Sequence, residues 1–294
     1  MGLFEPRLAI DVRCEVGEGI IWHPLRGSLL WIDVLRQTLY EAAPDGGAIT
    51  TYGFGEAVSA VAWIDRDSVA VATASGIRAL NLNSGARGAL APLEADRPET
   101  RSNDSRTDRY GSFWVSTMGQ PIAEGAGSLY RFQDSTFTLL KTGLTSPNSI
   151  CFSPDGRRAY FSDTFGHHLF AFDLDPENGA PLGEAKLFYD FSSDGLHPDG
   201  SVVDSEGGIW SAHWSGGCVT RLTANGTLER RIDLPVSLVT CPAFCGPELK
   251  TLYVTTANID LDQATREREP LAGAIFAIDL EVPGRAEPAL ANFP

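Results

Sequence analysis

Short apolar runs separated by turn-forming residues recur along the whole chain. The six runs richest in β-branched and aromatic residues cover 28–34, 69–76, 111–118, 158–164, 208–214 and 250–257. Each is followed by a second strand-like segment, and hairpin sequences such as Asn225-Gly226 lie between such segments. Runs of this length and composition predict β-strands joined by tight turns, and helical periodicity is almost absent.

One phrase repeats along the chain: a small polar residue, an apolar stretch, a Gly/Asp/Pro turn and a second apolar strand. Its polar position is occupied in turn by Glu18, Ser59, Asn103, Asn148, Asp199 and Thr240, at spacings of 41, 44, 45, 51 and 41 residues. A repeat of this length with several strands in each copy is typical of propeller blades. The sequence therefore predicts six units that begin near residues 17, 57, 101, 146, 197 and 239.

These units predict an all-β fold, a six-bladed β-propeller with four-stranded antiparallel blades around a central channel. A sandwich or barrel is the usual interpretation of regular short strands, but six matched units favour the propeller. Residues 6–14 precede the first unit and have no partner strand of their own, so we expect them to close the last blade and remove a sheet edge. No low-complexity linker divides the chain, which predicts a single domain over residues 1–294.

Composition excludes several classes of partner. The net charge is −15 and the pI is near 4.7, which disfavours non-specific binding to nucleic acid or to an anionic membrane. No segment approaches the ~20 apolar residues that span a bilayer, and the N-terminus does not resemble a signal peptide. We expect a cytoplasmic monomer whose five cysteines are reduced and mostly buried.

Four of the repeated polar positions carry oxygen donors: Glu18, Asn103, Asn148 and Asp199. In a propeller the innermost strands begin at one mouth of the channel, so these side chains should converge there. Carboxylate and amide oxygens suit Ca²⁺, Mg²⁺ or Mn²⁺, and Zn²⁺ or Fe(II) also accept them. The competing interpretation is that such residues only hydrate the channel or cap a strand. Close carboxylates repel unless a cation or proton intervenes, which favours one divalent metal ion.

Several short motifs occur in a fixed order: Gly-Glu-Gly at 17–19, Arg-Ser-Asn-Asp at 101–104, Ser-Thr-Met at 116–118, Pro-Asn-Ser at 147–149, Pro-Asp-Gly at 198–200, Gly-Gly at 216–217 and Leu-Ala-Gly-Ala-Ile-Phe at 271–276. Each is weak alone, but the ordered set resembles the regucalcin (senescence marker protein)/gluconolactonase family. The resemblance runs from about residue 14 to residue 280, and the second half looks most like bacterial aldono- and xylonolactonases.

The resemblance implies a six-bladed propeller with one divalent metal ion at the channel mouth and hydrolysis of a sugar lactone, with a pentonolactone as the favoured substrate. It implies Glu18, Asn148 and Asp199 as metal ligands and Asp199 as the catalytic carboxylate. Arg101 and Asn103 would contact the substrate. Gln120 replaces an acidic contact found in some members, and would recognise a differently shaped sugar.

Three functions stay open at this point. The first is the metal-dependent lactonase, with Asp199 or a hydroxide held by the cation as the effective base. The second is a non-catalytic calcium-binding regulatory protein of the regucalcin type. The third is an interaction scaffold without a functional metal site. Arg101 and Asn103 favour the enzyme, because a calcium buffer needs no substrate contacts.

Two further sequence features concern the channel mouth and the core. His167 and His168 are adjacent in a segment that looks like a strand, which predicts that they point to opposite faces. His197 lies two residues before Asp199 and is a candidate for the pocket lining. The six tryptophans recur at blade positions and are expected to pack between sheets.

Overall fold

The computed structural model describes residues 2–293, which form six four-stranded antiparallel sheets arranged as the blades of a propeller. After the first strand, β1 (Arg7–Ile10), blades 1 to 3 consist of β2 (Gly17–His23), β3 (Ser28–Asp33), β4 (Thr38–Ala42), β5 (Thr50–Gly53), β6 (Val58–Trp63), β7 (Ser68–Thr73), β8 (Gly76–Asn81), β9 (Arg87–Pro92), β10 (Thr100–Thr107), β11 (Phe113–Gly119), β12 (Gly127–Gln133) and β13 (Thr136–Leu144).

Blades 4 to 6 continue in the same order, with a single short helix in the last one. They consist of β14 (Pro147–Phe152), β15 (Arg158–Asp163), β16 (His168–Asp173), β17 (Lys186–Asp190), β18 (Pro198–Val203), β19 (Ile209–His213), β20 (Cys218–Leu222), β21 (Leu228–Asp233), β22 (Val239–Cys245), β23 (Thr251–Thr256), α1 (Gln263–Arg268) and β24 (Ile275–Asp279). The predicted six-bladed all-β propeller is confirmed.

The N-terminal strand belongs to the last blade. β1 pairs antiparallel with β24, so the sheet order of blade 6 is β1-β24-β23-β22. The two ends of the chain therefore share one sheet. The ring cannot open without breaking the hydrogen bonds of this sheet, and β24 is not left as an exposed edge.

The core lies between neighbouring blades. Trp31, Trp114 and Trp210 are completely buried, and each packs against apolar residues of the adjacent blade. Trp31 also stacks on Tyr40, with ring centroids 5.3 Å apart. This confirms the predicted packing role for these three tryptophans, and the five cysteines are free and buried as expected.

Residues 281–293, called here the C-terminal tail, cross the end of the channel opposite to the starts of the inner strands. The indole nitrogen of Trp63 donates to the carbonyl of Glu287 at 2.9 Å, and the amide of Ala291 donates to the carbonyl of Gly111 at 2.9 Å. The tail thereby joins several blades at their far ends. Within residues 2–293, no helix is long and apolar enough to cross a membrane.

Candidate active site

The second residue of each innermost strand lies at the channel mouth. These residues are Glu18, Ser59, Arg101, Asn148, Asp199 and Thr240. In blade 3 this residue is Arg101, because β10 begins earlier, at Thr100. Asn103 lies in the bulge of β10, between Ser102, which pairs with Thr117, and Ser105, which pairs with Val115. Asp199 lies in the same way between Pro198 and Ser201, so Asn103 and Asp199 occupy the same place relative to the bulge of their strands.

Two of the six residues at the channel mouth form hydrogen bonds within the fold, and the other four have polar groups that can bind a ligand. The hydroxyl of Thr240 donates to the carbonyl of Gly17 at 2.6 Å, and Ser59 exchanges a hydrogen bond with Ser102 at 2.7 Å. These hydroxyls are used within the fold. The residues with free coordinating or charged groups are Glu18, Arg101, Asn148 and Asp199, joined by Asn103 two residues along β10.

A β-bulge follows the ring position in the inner strands. The register shifts between Glu18 and Ile21 and again between Asn148 and Cys151. Bulges twist a strand locally and redirect side chains at its end. Gly19, at φ +56, is needed in the first bulge, because a Cβ there would lie 2.9 Å from the Cα of Ala60.

A chain of hydrogen bonds connects the predicted substrate residues to the predicted metal ligands. Arg101 Nη1 donates to Asn103 Oδ1 at 3.0 Å. Asn103 Nδ2 donates in turn to Asn148 Oδ1 at 3.0 Å and to the carbonyl of Pro147 at 3.1 Å. The structure therefore brings Arg101, Asn103 and Asn148 together.

Thr164 fixes the orientation of the Asn148 amide. The Thr164 hydroxyl lies 2.8 Å from the carbonyl of Pro198, which can only accept, so its single proton is used there. The hydroxyl must then accept from Asn148 Nδ2, which lies 2.8 Å away. This leaves Asn148 Oδ1 facing the channel. Sequence reasoning missed Thr164, because nothing in the Ser-Asp-Thr segment marks a contact with the neighbouring inner strand.

Glu18 and Asp199 are two carboxylates without a basic partner. Across residues 2–293, no Lys or Arg lies within ion-pair distance of either group. Burial, reinforced by the charge of Asp104, raises the pKa of Glu18 to about 8, although the Gly19 amide and Arg101 act in the opposite direction. Burial and then the charges of Glu18 and Asp104 raise the pKa of Asp199 well above 3.8.

Asp104 is a third acidic residue near the site that sequence reasoning did not select. It is buried, and its carboxylate accepts from the amides of Ile150 at 2.7 Å and Ser105 at 2.8 Å. Both oxygens are thus occupied by backbone donors that tie blade 3 to blade 4. Its effect on the site is electrostatic, since its charge raises the pKa values of Glu18 and Asp199.

The donor set fits a divalent cation. Two carboxylates in one site, Asp199 buried and Glu18 half-buried, repel each other, and a cation between them removes both that repulsion and the cost of burying unpaired charge. Asn148 adds a neutral oxygen already held toward the channel. The part of the chain from 2 to 293 contains no cluster of three or more His, Cys, Asp or Glu side chains with metal-binding geometry. The candidate site therefore depends on this amide and on ligands from outside the protein.

The rim of the mouth carries Gln120 and two histidines. Gln120 follows β11 and is exposed, and its backbone amide donates to the carbonyl of Glu99 at 2.8 Å. His167 is not in β16, which begins at His168, so the prediction of two histidines side by side in one strand was wrong. His167 instead ends a 3₁₀ turn with φ +57 and lies against His197, with ring centroids 4.2 Å apart.

The fold and this site define a class: a six-bladed propeller with a carboxylate and amide site at one mouth of its channel. Residues 16–258 match the SMP-30/Gluconolactonase/LRE-like region family, and the chain belongs to that family.

Similar proteins cover nearly the whole chain. It is 36% identical over 283 residues to a pentonolactonase from Haloferax volcanii, covering 95% of each chain. It is 31% identical over 293 residues to an L-arabinolactonase from Azospirillum brasilense, covering 98% of this chain and 96% of the relative. The crystal structure of a calcium-binding protein, regucalcin, from Agrobacterium tumefaciens has a TM-score of 0.94 and 36% identity, covering 98% of this chain and 97% of the other.

Proposed function

We propose that this protein is a metal-dependent lactonase that hydrolyses an aldono-lactone to the aldonic acid. The observation that carries the proposal is the pair of carboxylates without an ion pair, half-buried Glu18 and buried Asp199, beside Asn148 and Arg101. The names of the curated relatives support a lactone substrate, and two of them act by name on lactones of pentose sugars. A pentonolactone is therefore the first substrate to test.

Glu18, Asn148 and Asp199 would hold one divalent cation, with Ca²⁺, Zn²⁺, Mn²⁺, Mg²⁺ and Fe(II) all compatible with the oxygen donors. When bound, the cation would polarise the lactone carbonyl and lower the pKa of water. Thr164 contributes by holding the Asn148 amide with its oxygen toward the channel.

Asp199 would act as the general base. Hydrolysis adds water to the carbonyl carbon, breaks the bond from that carbon to the ring oxygen, and returns a proton to the ring oxygen as it leaves. Asp199 would accept the proton of the attacking water and return one to the leaving oxygen. Its raised pKa in the absence of a cation favours the protonated carboxyl, so a proton and a cation would compete for the site.

Arg101 and Asn103 would position the lactone. One Arg101 nitrogen is used by the carbonyl of Ser102 at 2.7 Å and by Asn103 Oδ1, which fixes the guanidinium. Its other N–H groups would then donate to the sugar and carbonyl oxygens. Gln120, exposed at the rim, would contact the hydroxyl groups farther from the reacting carbon.

The test is acid release from pentono- and hexono-lactones by chelator-treated protein resupplied with single metals. Asp199→Asn should abolish metal-dependent hydrolysis while the melting temperature of the metal-free protein does not fall. Asp233→Asn, which removes an exposed carboxylate on β21, is the matched control and should keep full activity. Near-normal hydrolysis in Asp199→Asn would overturn the assignment of this residue.

A calcium-binding protein without turnover is the second candidate, favoured by the name of the solved structure from Agrobacterium tumefaciens. The same titration distinguishes the two functions. Thermal stabilisation by a metal with no acceleration of any lactone would support the binding protein. Stabilisation together with hydrolysis would support the enzyme.

A further inference from the structure

A second cluster of charge lies at the far end of the channel. β10 carries Arg101 at the mouth and Arg106 five residues later, a distance of roughly 17 Å along an extended strand. Around Arg106, the turn after β10, the turn after β14 and the C-terminal tail enclose a cavity of about 50 Å³. That is enough room for several water-sized groups or one small oxyanion.

Three arginines line this cavity: Arg106, Arg109 and Arg285. Arg106 is buried and pairs with the carboxylate of Glu287. In the part of the chain that the structure describes, neither Arg109 nor Arg285 has a carboxylate within ion-pair distance. The cavity therefore carries two guanidinium groups whose charge is not neutralised by an ion pair within residues 2–293.

Both unpaired arginines are held in place by the same turn. Arg109 Nη1 donates to the carbonyl of Asp155 at 2.6 Å, and Arg285 Nη1 donates to the carbonyl of Ser153 at 3.3 Å. Gly156 leaves room for Arg109, because a Cβ at that position would lie 2.1 Å from the Cδ of Arg109. The two guanidinium groups are therefore positioned by the fold, with further N–H donors remaining on each.

The nearby acidic groups are already occupied. Asp155 accepts from the Ser153 hydroxyl at 2.7 Å and from the amide of Arg157 at 3.0 Å. Glu287 is used by Arg106, yet the Nε of Arg106 is buried without a hydrogen-bond partner.

The arginines also disfavour one another. Burial lowers the pKa of Arg285, and the charge of Arg109 lowers it further. Guanidinium groups held close together at a cavity, with N–H donors left without acceptors, favour the binding of an anion there.

We propose that the cavity formed by Arg106, Arg109 and Arg285 binds a phosphate group. Arginine forks match the oxygens of phosphate and carboxylate, and two arginines without ion pairs, beside the Arg106–Glu287 pair, favour a doubly charged, tetrahedral anion over a single carboxylate. The group could be inorganic phosphate or the phosphate of a metabolite monoester. The proposal does not depend on the proposed lactonase activity, because the two sites lie at opposite ends of the channel.

The test is calorimetric titration of the full-length protein with inorganic phosphate, at an ionic strength held constant with chloride. Arg109→Gln and Arg285→Gln should each raise the dissociation constant for phosphate at least about tenfold, as expected for the loss of one pair of charge-assisted hydrogen bonds. Arg78→Gln is the matched control, since Arg78 is an unpaired arginine on β8 away from the cavity, and it should bind as the wild type does. Asp199→Asn should also bind unchanged, which separates this site from the channel mouth.

A monoester arm identifies the source of the phosphate. Glucose 6-phosphate is compared with inorganic phosphate, with glucose as the neutral control. Equal or tighter binding of the monoester, lost in the Arg109→Gln/Arg285→Gln double variant, would support a phosphorylated metabolite. Binding of inorganic phosphate alone would support the free ion. Absence of binding to the wild type, or equal binding to the double variant, would overturn the proposal.

Discussion

The two ends of the channel solve the problem of buried charge in different ways. At the far end, Arg106 meets the carboxylate of Glu287, which the C-terminal tail brings from 181 residues away. At the mouth, Glu18 and Asp199 form no ion pair within residues 2–293, and burial, reinforced by neighbouring acidic charge, raises their pKa values. The buried charge of Arg106 is neutralised by the chain itself, whereas the two carboxylates at the mouth are not. The comparison suggests that the ion pair of Arg106 stabilises the fold, whereas the carboxylates of Glu18 and Asp199 can bind a ligand.

The largest expected effect is at the mouth. Glu18→Gln removes one of the two carboxylates, and it should lower metal-dependent kcat/KM about 10³-fold, since a catalytic cation supplies several kcal/mol of charge stabilisation. The metal-free melting temperature should stay the same or rise, because a repulsive pair is lost. Lactone hydrolysis and thermal unfolding in chelator measure the two effects. If Glu18→Gln unfolded more easily and retained its activity, Glu18 would have a role in stability and not in catalysis, contrary to this prediction.

At the far end we expect the opposite pattern. Glu287→Gln leaves the buried guanidinium of Arg106 without its counter-ion, which should lower the free energy of unfolding by about 3 kcal/mol. Metal affinity and kcat should change little, because the mouth is untouched. The measurement is urea unfolding beside lactone hydrolysis. The double variant Arg106→Met/Glu287→Leu should recover most of the stability, and failure to recover would assign the loss to the tail rather than to the ion pair.

Substitutions of Thr164 test whether metal affinity depends on the fixed orientation of the Asn148 side-chain amide. Thr164→Val removes the acceptor for Asn148 Nδ2, so the Asn148 oxygen is no longer held toward the channel. Metal affinity should fall about 10- to 100-fold, as for other residues that orient metal ligands. Thr164→Ser keeps the hydroxyl and should restore it. A packing effect alone would leave serine as weak as valine in a metal titration.

A last prediction concerns the pH dependence of the metal-free protein. The pKa of Glu18 is raised from 4.5 to about 8 on folding, so between these values the folded state holds more protons than the unfolded one. The free energy of unfolding must then decrease as pH rises from about 5 to 8. Urea midpoints in chelator should show this slope in the wild type and less of it in Glu18→Gln. Identical slopes in both proteins would exclude Glu18 as the cause.

The sequence predicted the fold because strand length and repeat period are local properties that survive in every blade. It also placed Glu18, Asn148 and Asp199 around one mouth, since equivalent strand starts converge in a ring. The roles of these residues in binding and catalysis remain predictions.

Other features could not be predicted because they depend on side-chain contacts between distant segments. The Thr164 hydroxyl acts through a neighbouring inner strand, and its own segment carries no motif. The C-terminal tail has no strand alternation, and its Pro283-Gly284 turn signal does not specify a direction. Nothing in 281–293 therefore indicates that Glu287 enters the channel. Arg106 and Arg285 are likewise far apart in the chain and meet only after the ring has closed.

The shared sheet of blade 6 has a consequence for synthesis on the ribosome. β1 is made first, but its partner β24 lies more than 260 residues later. At roughly 5–20 residues per second, β1 must wait on the order of 15 to 50 seconds for the strand that completes its blade. During that interval the first blades can pack against one another while the N-terminal strand stays unpaired. The hydrogen bonds between β1 and β24 can form only after more than 260 further residues have been made.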